Sequence, residues 1–336
     1  MIRTIIDYTN ELSLIREKGL LRGDKTGFKC LDELYSLKSG TYTFVYAEPT
    51  HGKSEFIFEI CMNQIQHGKR SLIYSPETGT TEEIIAELVH KYTGKRIYKT
   101  EQDSLTDLQF YDALGYLSEY FLIADTDNSY SVQDLFDLAL QWEKENSNKK
   151  ISIIVGEPYN ELKHDMTQFN GRQDLYIEDL ITNIRLLCRT HKKHFILSMH
   201  PSGNSIPITK DRITYYPKPL ARQAAGGQAS YRKAMTWITL WRPAFGLNDE
   251  NGWAYAKDEV HVYIDKAKPK GVSYRGKCIM YFDWIKNRYY EKIDGLPYYA
   301  FEHNSQNNYF DHSVKKLPDL MPNLKFEPAK EIESPF

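Results

Sequence analysis

The sequence predicts an α/β fold, a mainly parallel central sheet flanked by helices with an antiparallel extension toward the C-terminus. Three observations predict it. The string Ala47-Glu48-Pro49-Thr50-His51-Gly52-Lys53-Ser54 joins an apolar run, Tyr42, Phe44, Val45 and Tyr46, to a helical stretch starting at Phe56, the setting of a phosphate-binding turn. Between residues 41 and 199, β-type runs alternate with helical periodicity, as crossover helices linking parallel strands require. Beyond residue 232 the runs become strand-like and are joined by short turns.

Taken in order, Ile5, Ile6, Tyr8, Leu12 and Ile15 fall at helical spacing over residues 4–18, and Gly19 and Gly23 end the segment. This helix either packs on its own domain or docks on a neighbouring subunit, and residues 1–22 read as a linker. The expected elements of the main domain, 23–295, begin with strand 41–46, helix 53–66, strand 71–75 and helix 80–92. Helix 104–118, the apolar run 120–124, helix 131–145 capped by Ser131, strand 151–155, helix 174–191 and strand 195–199 follow. A long loop, 201–232, precedes strands 236–241, 259–265 and 277–283. Residues 296–336, rich in Asn, Pro, Lys and Glu from about 302 onward, suggest a loosely ordered tail.

With 336 residues and 41% hydrophobic content, the chain can bury a sizeable core. A formal charge of −2 provides no global basic field, so any grip on nucleic acid must come from local clusters such as Lys192-Lys193-His194 or the stretch from Lys266 to Arg275. The four cysteines are far apart and suggest neither a zinc site nor a disulfide framework, which points to a reducing, cytoplasmic compartment. No stretch approaches the roughly 20 apolar residues that span a bilayer, so no membrane partner is expected.

The chemistry concentrates at strand ends. The turn Glu48-Pro49-Thr50-His51-Gly52, through the backbone N–H groups of its residues other than Pro49, and the following helix N-terminus would cradle a triphosphate, Lys53 would put a point charge on its outer phosphates, and the Ser54 hydroxyl would ligate Mg²⁺. Ala47 stands where the general pattern has Gly. Glu77, directly after the second strand, sits where an ATPase needs a general base. Glu157, after strand 151–155, is the candidate Mg²⁺ holder; aspartate is commoner there, and the extra methylene moves the carboxylate outward. His200, after strand 195–199, is placed to sense the γ-phosphate.

These motifs, with Thr26-Gly27-Phe28, Leu31-Asp32-Glu33-Leu34-Tyr35, Ser75-Pro76-Glu77, Glu157-Pro158-Tyr159-Asn160-Glu161-Leu162 and His200-Pro201, come in the order seen in RecA-like hexameric replicative helicases. From about residue 20 to 292 the chain resembles the helicase half of the Twinkle and phage primase-helicase group, related to DnaB. The resemblance implies an ATP- and Mg²⁺-dependent DNA helicase, a homo-oligomeric ring on single-stranded DNA, a phage or prophage setting, and a separate primase or other replisome proteins as partners. It implies that Lys266 and Lys268 reach a neighbouring subunit's ATP, with lysine at 268 where arginine is usual, so that bidentate clamping is lost. Arg242 and Phe282 match positions that sandwich the nucleotide base. The segment 201–232, with Lys218, Arg222, Gln223, Gly226 and Gly227, corresponds to a loop that tracks single-stranded DNA. Met235 stands where the family commonly has Asp. No zinc-ribbon cysteines precede residue 20, so a stand-alone motor is expected. Two other readings remain: a RecA-type recombinase or helicase loader that uses ATP as an assembly switch, and a nucleotide-binding scaffold with weak catalysis.

Overall fold

The structure, a computed structural model, describes residues 4–99, 104–203, 206–210 and 212–301. In chain order its helices are α1 (Thr9–Lys18), α2 (Lys29–Asp32), α3 (Lys53–Asn63), α4 (Thr81–Thr93), α5 (Asp107–Leu117), α6 (Val132–Glu145), α7 (Gln173–His191) and α8 (Gly227–Lys233). The strands are β1 (Tyr42–Tyr46), β2 (Arg70–Tyr74), β3 (Phe121–Ile123), β4 (Ile151–Gly156), β5 (His194–Met199), β6 (Ile208–Lys210), β7 (Ile213–Tyr215), β8 (Thr236–Trp241), β9 (Glu259–Lys266), β10 (Gly276–Asp283), β11 (Arg288–Ile293) and β12 (Leu296–Tyr298).

Every residue of β1 is buried, as a strand can be only when both faces of its sheet are covered. It lies inside a sheet of order β12-β11-β10-β9-β8-β1-β5-β4-β2-β3. From β8 to β3 all neighbours run parallel; from β8 outward to β12 they alternate in direction. The parallel core with an antiparallel extension is therefore what the chain forms. Alternation along β1 divides the core between two faces: Val45 packs with Phe56, Ile60 and Ile196, whereas Phe44 packs with Phe195, Ile181 and Trp237. The Phe44 and Trp237 rings meet edge to face at 5.7 Å, a geometry aromatic quadrupoles favour.

Caps place the crossover helices. The Ser131 hydroxyl accepts from the Asp134 amide at 3.2 Å while the Asp134 carboxylate accepts from the Ser131 amide at 2.8 Å, a reciprocal box that satisfies two amides otherwise orphaned at the start of α6. Thr80 and Glu83 do the same for α4. No described helix is long and apolar enough to cross a membrane.

One open alternative is narrowed and two expectations need correction. No residue of α1 is buried, and Ile5 and Ile6 are 84% and 78% exposed, so the alternative in which this segment packs into its own domain is not what the structure shows. The stretch 201–232 is not a plain loop, because it holds the β6–β7 hairpin and α8. Packing also continues past residue 295. Strand β12 pairs with β11, Phe301 is buried, and its carbonyl accepts from Arg288 at 2.7 Å. Residues 302–336 of the expected tail lie outside the described residues.

Candidate nucleotide-binding site

The parallel strands β1, β2, β4 and β5 all end at one edge of the sheet, and the sequence-predicted chemical groups follow them there. After β1 the chain turns sharply, with Thr50 at φ 64° and Gly52 at φ 81°, and α3 starts at Lys53. Left-handed backbone is cheap for glycine and costly for other residues. A Cβ on Gly52 would also lie 2.7 Å from the Tyr289 hydroxyl. That hydroxyl donates to the Gly52 carbonyl at 3.1 Å, so β11 pins the turn from behind. The helix N-terminus and its free amides open onto a cleft of about 310 Å³ lined by Thr50, Lys53, Glu77, His200, Arg242 and Trp284, among others.

Lys53, His200 and Glu77 form a chain across three strand ends. The Lys53 ammonium lies 3.3 Å from His200 Nδ1, and His200 Nε2 lies 2.7 Å from Glu77 Oε2. Because an ammonium can only donate, Nδ1 accepts from Lys53, and a proton on Nε2 is donated to the carboxylate. Burial holds the Lys53 pKa below its ordinary value, against the opposing pull of Glu157, Glu77 and Glu48. Beside it, burial and the charges of Arg242 and Lys53 push His51 down to about 4, so this imidazole is neutral. Glu48 is buried as well.

Glu157 is 1% exposed. Its Oε2 accepts from the Ser75 hydroxyl at 3.3 Å, whereas Oε1 is buried without a hydrogen-bond partner. Burial pushes its pKa up to about 7, against the opposing influence of the nearby Ser54 hydroxyl and the Lys53 charge. A buried, partnerless carboxylate oxygen is costly, and a cation coordinated there would relieve it. Among the described residues no three His, Cys, Asp or Glu side chains form a metal cage. Mg²⁺ needs none, since it is usually held by one or two protein oxygens with water and phosphate oxygens. Ser54 and Glu157 fit that donor set.

At the outer end of the cleft, the Arg242 guanidinium lies 4.6 Å from the centre of the Trp284 ring. Phe282, the sequence-predicted base contact, lines the same cleft but is only 8% exposed and packs at 5.0 Å on both Trp284 and Tyr289. Trp284, at 52%, is the more accessible ring. Sequence reasoning missed both Trp284 and Tyr289: Trp284 stands in the turn between β10 and β11, which carries no sequence signal of its own, and Tyr289 lies on β11, where a strand aromatic usually serves only the core.

The remaining expected residues are elsewhere. Lys266 pairs opposite Trp237, which lies beside Phe44, so the sheet separates it from its own chain's phosphate turn. Its ammonium donates to the Tyr231 and Arg232 carbonyls at the end of α8. Lys268 follows in the next turn. Of the expected DNA contacts, Arg222 and Gln223 are exposed, while Lys218 is tied to Asp265 at 2.8 Å. Gly226 has a packing reason to be glycine: its φ is 73°, and a Cβ would lie 1.9 Å from Ile177 Cδ1. Gly227 is also left-handed, at φ 58°. The segment touches the site directly, since the Ala225 amide donates to the His200 carbonyl at 3.0 Å.

Support for the cleft comes from a network the sequence reading did not find. Glu59, fully buried, accepts from Arg288 at 2.9 Å and from the Tyr289 amide at 3.2 Å, with the Lys91 ammonium 3.6 Å away. Glu59 stands within Phe56-Ile57-Phe58-Glu59-Ile60-Cys61-Met62, and a lone charge in such a run was the available signal for a buried, paired carboxylate.

The same architecture occurs in solved structures. The ATPase domain of G40P superposes with a TM-score of 0.69 at 18% identity, covering 86% of this chain and 99% of that one. A DnaB-like replicative helicase, whose structure addresses its interactions with primase, gives 0.66 at 18% identity, covering 85% and 68%. The chain has the RecA-like fold of DnaB-like helicase ATPase domains. A Twinkle homolog protein, chloroplastic/mitochondrial, of Arabidopsis thaliana is 25% identical over 195 residues, 55% of this chain. The chain covers about a quarter of that relative's length, 26%. No protein-family model matches the sequence.

Proposed function

We propose that the chain is an ATP-driven DNA helicase motor of the DnaB-like kind, working as a homo-oligomeric ring on single-stranded DNA in the cytoplasm. The observation that carries this reading is the convergence of Lys53, His200, Glu77 and the partnerless Glu157 oxygen at adjacent parallel strand ends, beside an open helix N-terminus. Such an arrangement holds a triphosphate and serves its hydrolysis.

Lys53, the turn amides and the start of α3 hold the phosphates, while Arg242 and Trp284 flank the base. Glu77 orients a water and takes its proton as the water oxygen bonds to the γ-phosphorus and the β–γ bridging bond breaks, leaving ADP and phosphate. A bound Mg²⁺, held by Ser54 and Glu157, would neutralise charge developing on the phosphate oxygens. His200 is bonded to both Lys53 and Glu77, so a phosphate that draws Lys53 away alters its hold on the base. The Ala225 amide on the His200 carbonyl passes that change to the segment carrying Arg222 and Gln223, which contact the strand's phosphates. A separate primase is the partner this reading expects.

Strand displacement on a forked DNA duplex tests the reading. The wild-type chain should release the labelled strand only with ATP and Mg²⁺. ATP-dependent coating of single strands without displacement would favour the recombinase or loader instead.

A further inference from the structure

At the sheet edge remote from the phosphate turn is a second cleft, of about 570 Å³. Five basic side chains line it: Arg185 and Arg189, one turn apart on α7, Lys233 at the end of α8, and Lys268 and Lys270 in the turn after β9. Lys233 has a carboxylate nearby, Glu178 at 3.9 Å. Among the described residues, Arg185, Arg189, Lys268 and Lys270 have none within ion-pair distance. Like charges gathered without counter-charge repel one another, and a polyanion seated among them removes that cost.

The chain's own nucleotide cannot fill this role, because it binds at the opposite ends of the same strands. A second copy can present one. Its nucleotide cleft, lined by Lys53 and Arg242 as well as Glu55 and the half-exposed Glu77, would present the negative charge of the triphosphate to the basic cleft. Of the two lysines expected to act across such a contact, Lys266 has its ammonium engaged with the last carbonyls of α8. That leaves Lys268, a point charge without the two-pronged geometry of a guanidinium.

We propose that Arg185 and Arg189 reach the triphosphate held by the adjoining copy and supply the bidentate contact that Lys268 cannot. This rests on the ring-motor reading above. Bidentate guanidinium contacts strengthen as charge builds on the transferring phosphoryl group, so they act on turnover more than on ATP affinity.

The experiment compares full chains: wild type, the double variant R185A/R189A, the double variant R185K/R189K, and K53A. Each is measured for mass with ATP, ATP affinity, turnover without DNA, and single-stranded DNA affinity. Both double variants should assemble and bind ATP like wild type, with turnover reduced about tenfold or more. When R185A/R189A and K53A are mixed before ATP is added, part of the turnover should return, because mixed contacts join an intact phosphate turn to an intact basic cleft. Wild-type turnover in R185A/R189A, or no recovery on mixing, overturns the proposal. So does loss of DNA affinity with DNA-free turnover unchanged, which would give the cleft to nucleic-acid phosphates. A wild-type chain that does not turn over ATP overturns the motor reading itself, and the first arm identifies that case.

Discussion

Replacing Glu157 by glutamine should make the protein more stable and less active at once. The carboxyl is 1% exposed, and burial raises its pKa from 4.5 to about 7. A carboxyl whose folded-state pKa lies above its unfolded value adds stability that is complete below the unfolded value and lost as pH rises through the folded one. At about 1.36 kcal/mol per pKa unit, this gives about 3 kcal/mol lost between pH 4.5 and 8. Glutamine keeps the shape and cannot ionise. Urea denaturation without Mg²⁺ or nucleotide should therefore show wild type losing about 3 kcal/mol relative to Glu157→Gln over that range. At pH 8 with Mg²⁺ and ATP, the order reverses for function: the variant, lacking the anionic oxygen, should bind Mg²⁺–ATP weakly and hydrolyse it slowly. Parallel stability–pH curves for the two proteins would refute the argument, as would wild-type Mg²⁺ dependence in the variant.

Other substitutions probe the supports of the site. Gly52→Ala forces a left-handed alanine against the Tyr289 hydroxyl, costing about 1–2 kcal/mol from backbone alone; isothermal titration should show ATP affinity reduced about tenfold or more. Tyr289→Phe removes the hydrogen bond to the Gly52 carbonyl and should cost about 1 kcal/mol in urea denaturation, with a smaller loss of ATP affinity than Gly52→Ala. Arg288→Ala leaves the buried Glu59 carboxylate with only the Tyr289 amide and the more distant Lys91 ammonium and should cost about 3 kcal/mol, measured the same way. Glu77→Gln should retain ATP binding by titration while hydrolysis, followed by phosphate release, disappears.

The parallel core was legible because its strands are buried on both faces and read as apolar runs such as Ile151 to Val155, separated by helices with visible caps. The order of chemical groups followed, since each stands directly after such a run. The strands β11 and β12 were missed for the opposite reason. Arg288-Tyr289-Tyr290-Glu291-Lys292-Ile293 is half charged, and its charges are satisfied by partners far away in sequence: Glu59 for Arg288, and the Lys29 and Cys30 amides for Glu291. A signal was nonetheless available in Asp294-Gly295, both at positive φ, the residue pair that two-residue hairpins favour. The engagement of Lys266 with α8 could not be read from spacing, because its acceptors are backbone carbonyls brought near only by the fold. Likewise, Gly226 carries the marks of a flexible DNA-tracking loop, while its tight packing on Ile177 depends on where α7 lies.

The central claim is that the Lys53–His200–Glu77 site cleaves ATP in the service of movement on DNA. It is tested most directly by the steady-state ATP turnover of wild type and Lys53→Ala, each with and without single-stranded DNA. The account predicts turnover that DNA stimulates in wild type and that is absent from the variant; tight ATP binding without turnover in wild type, or equal rates in the two proteins, would contradict it.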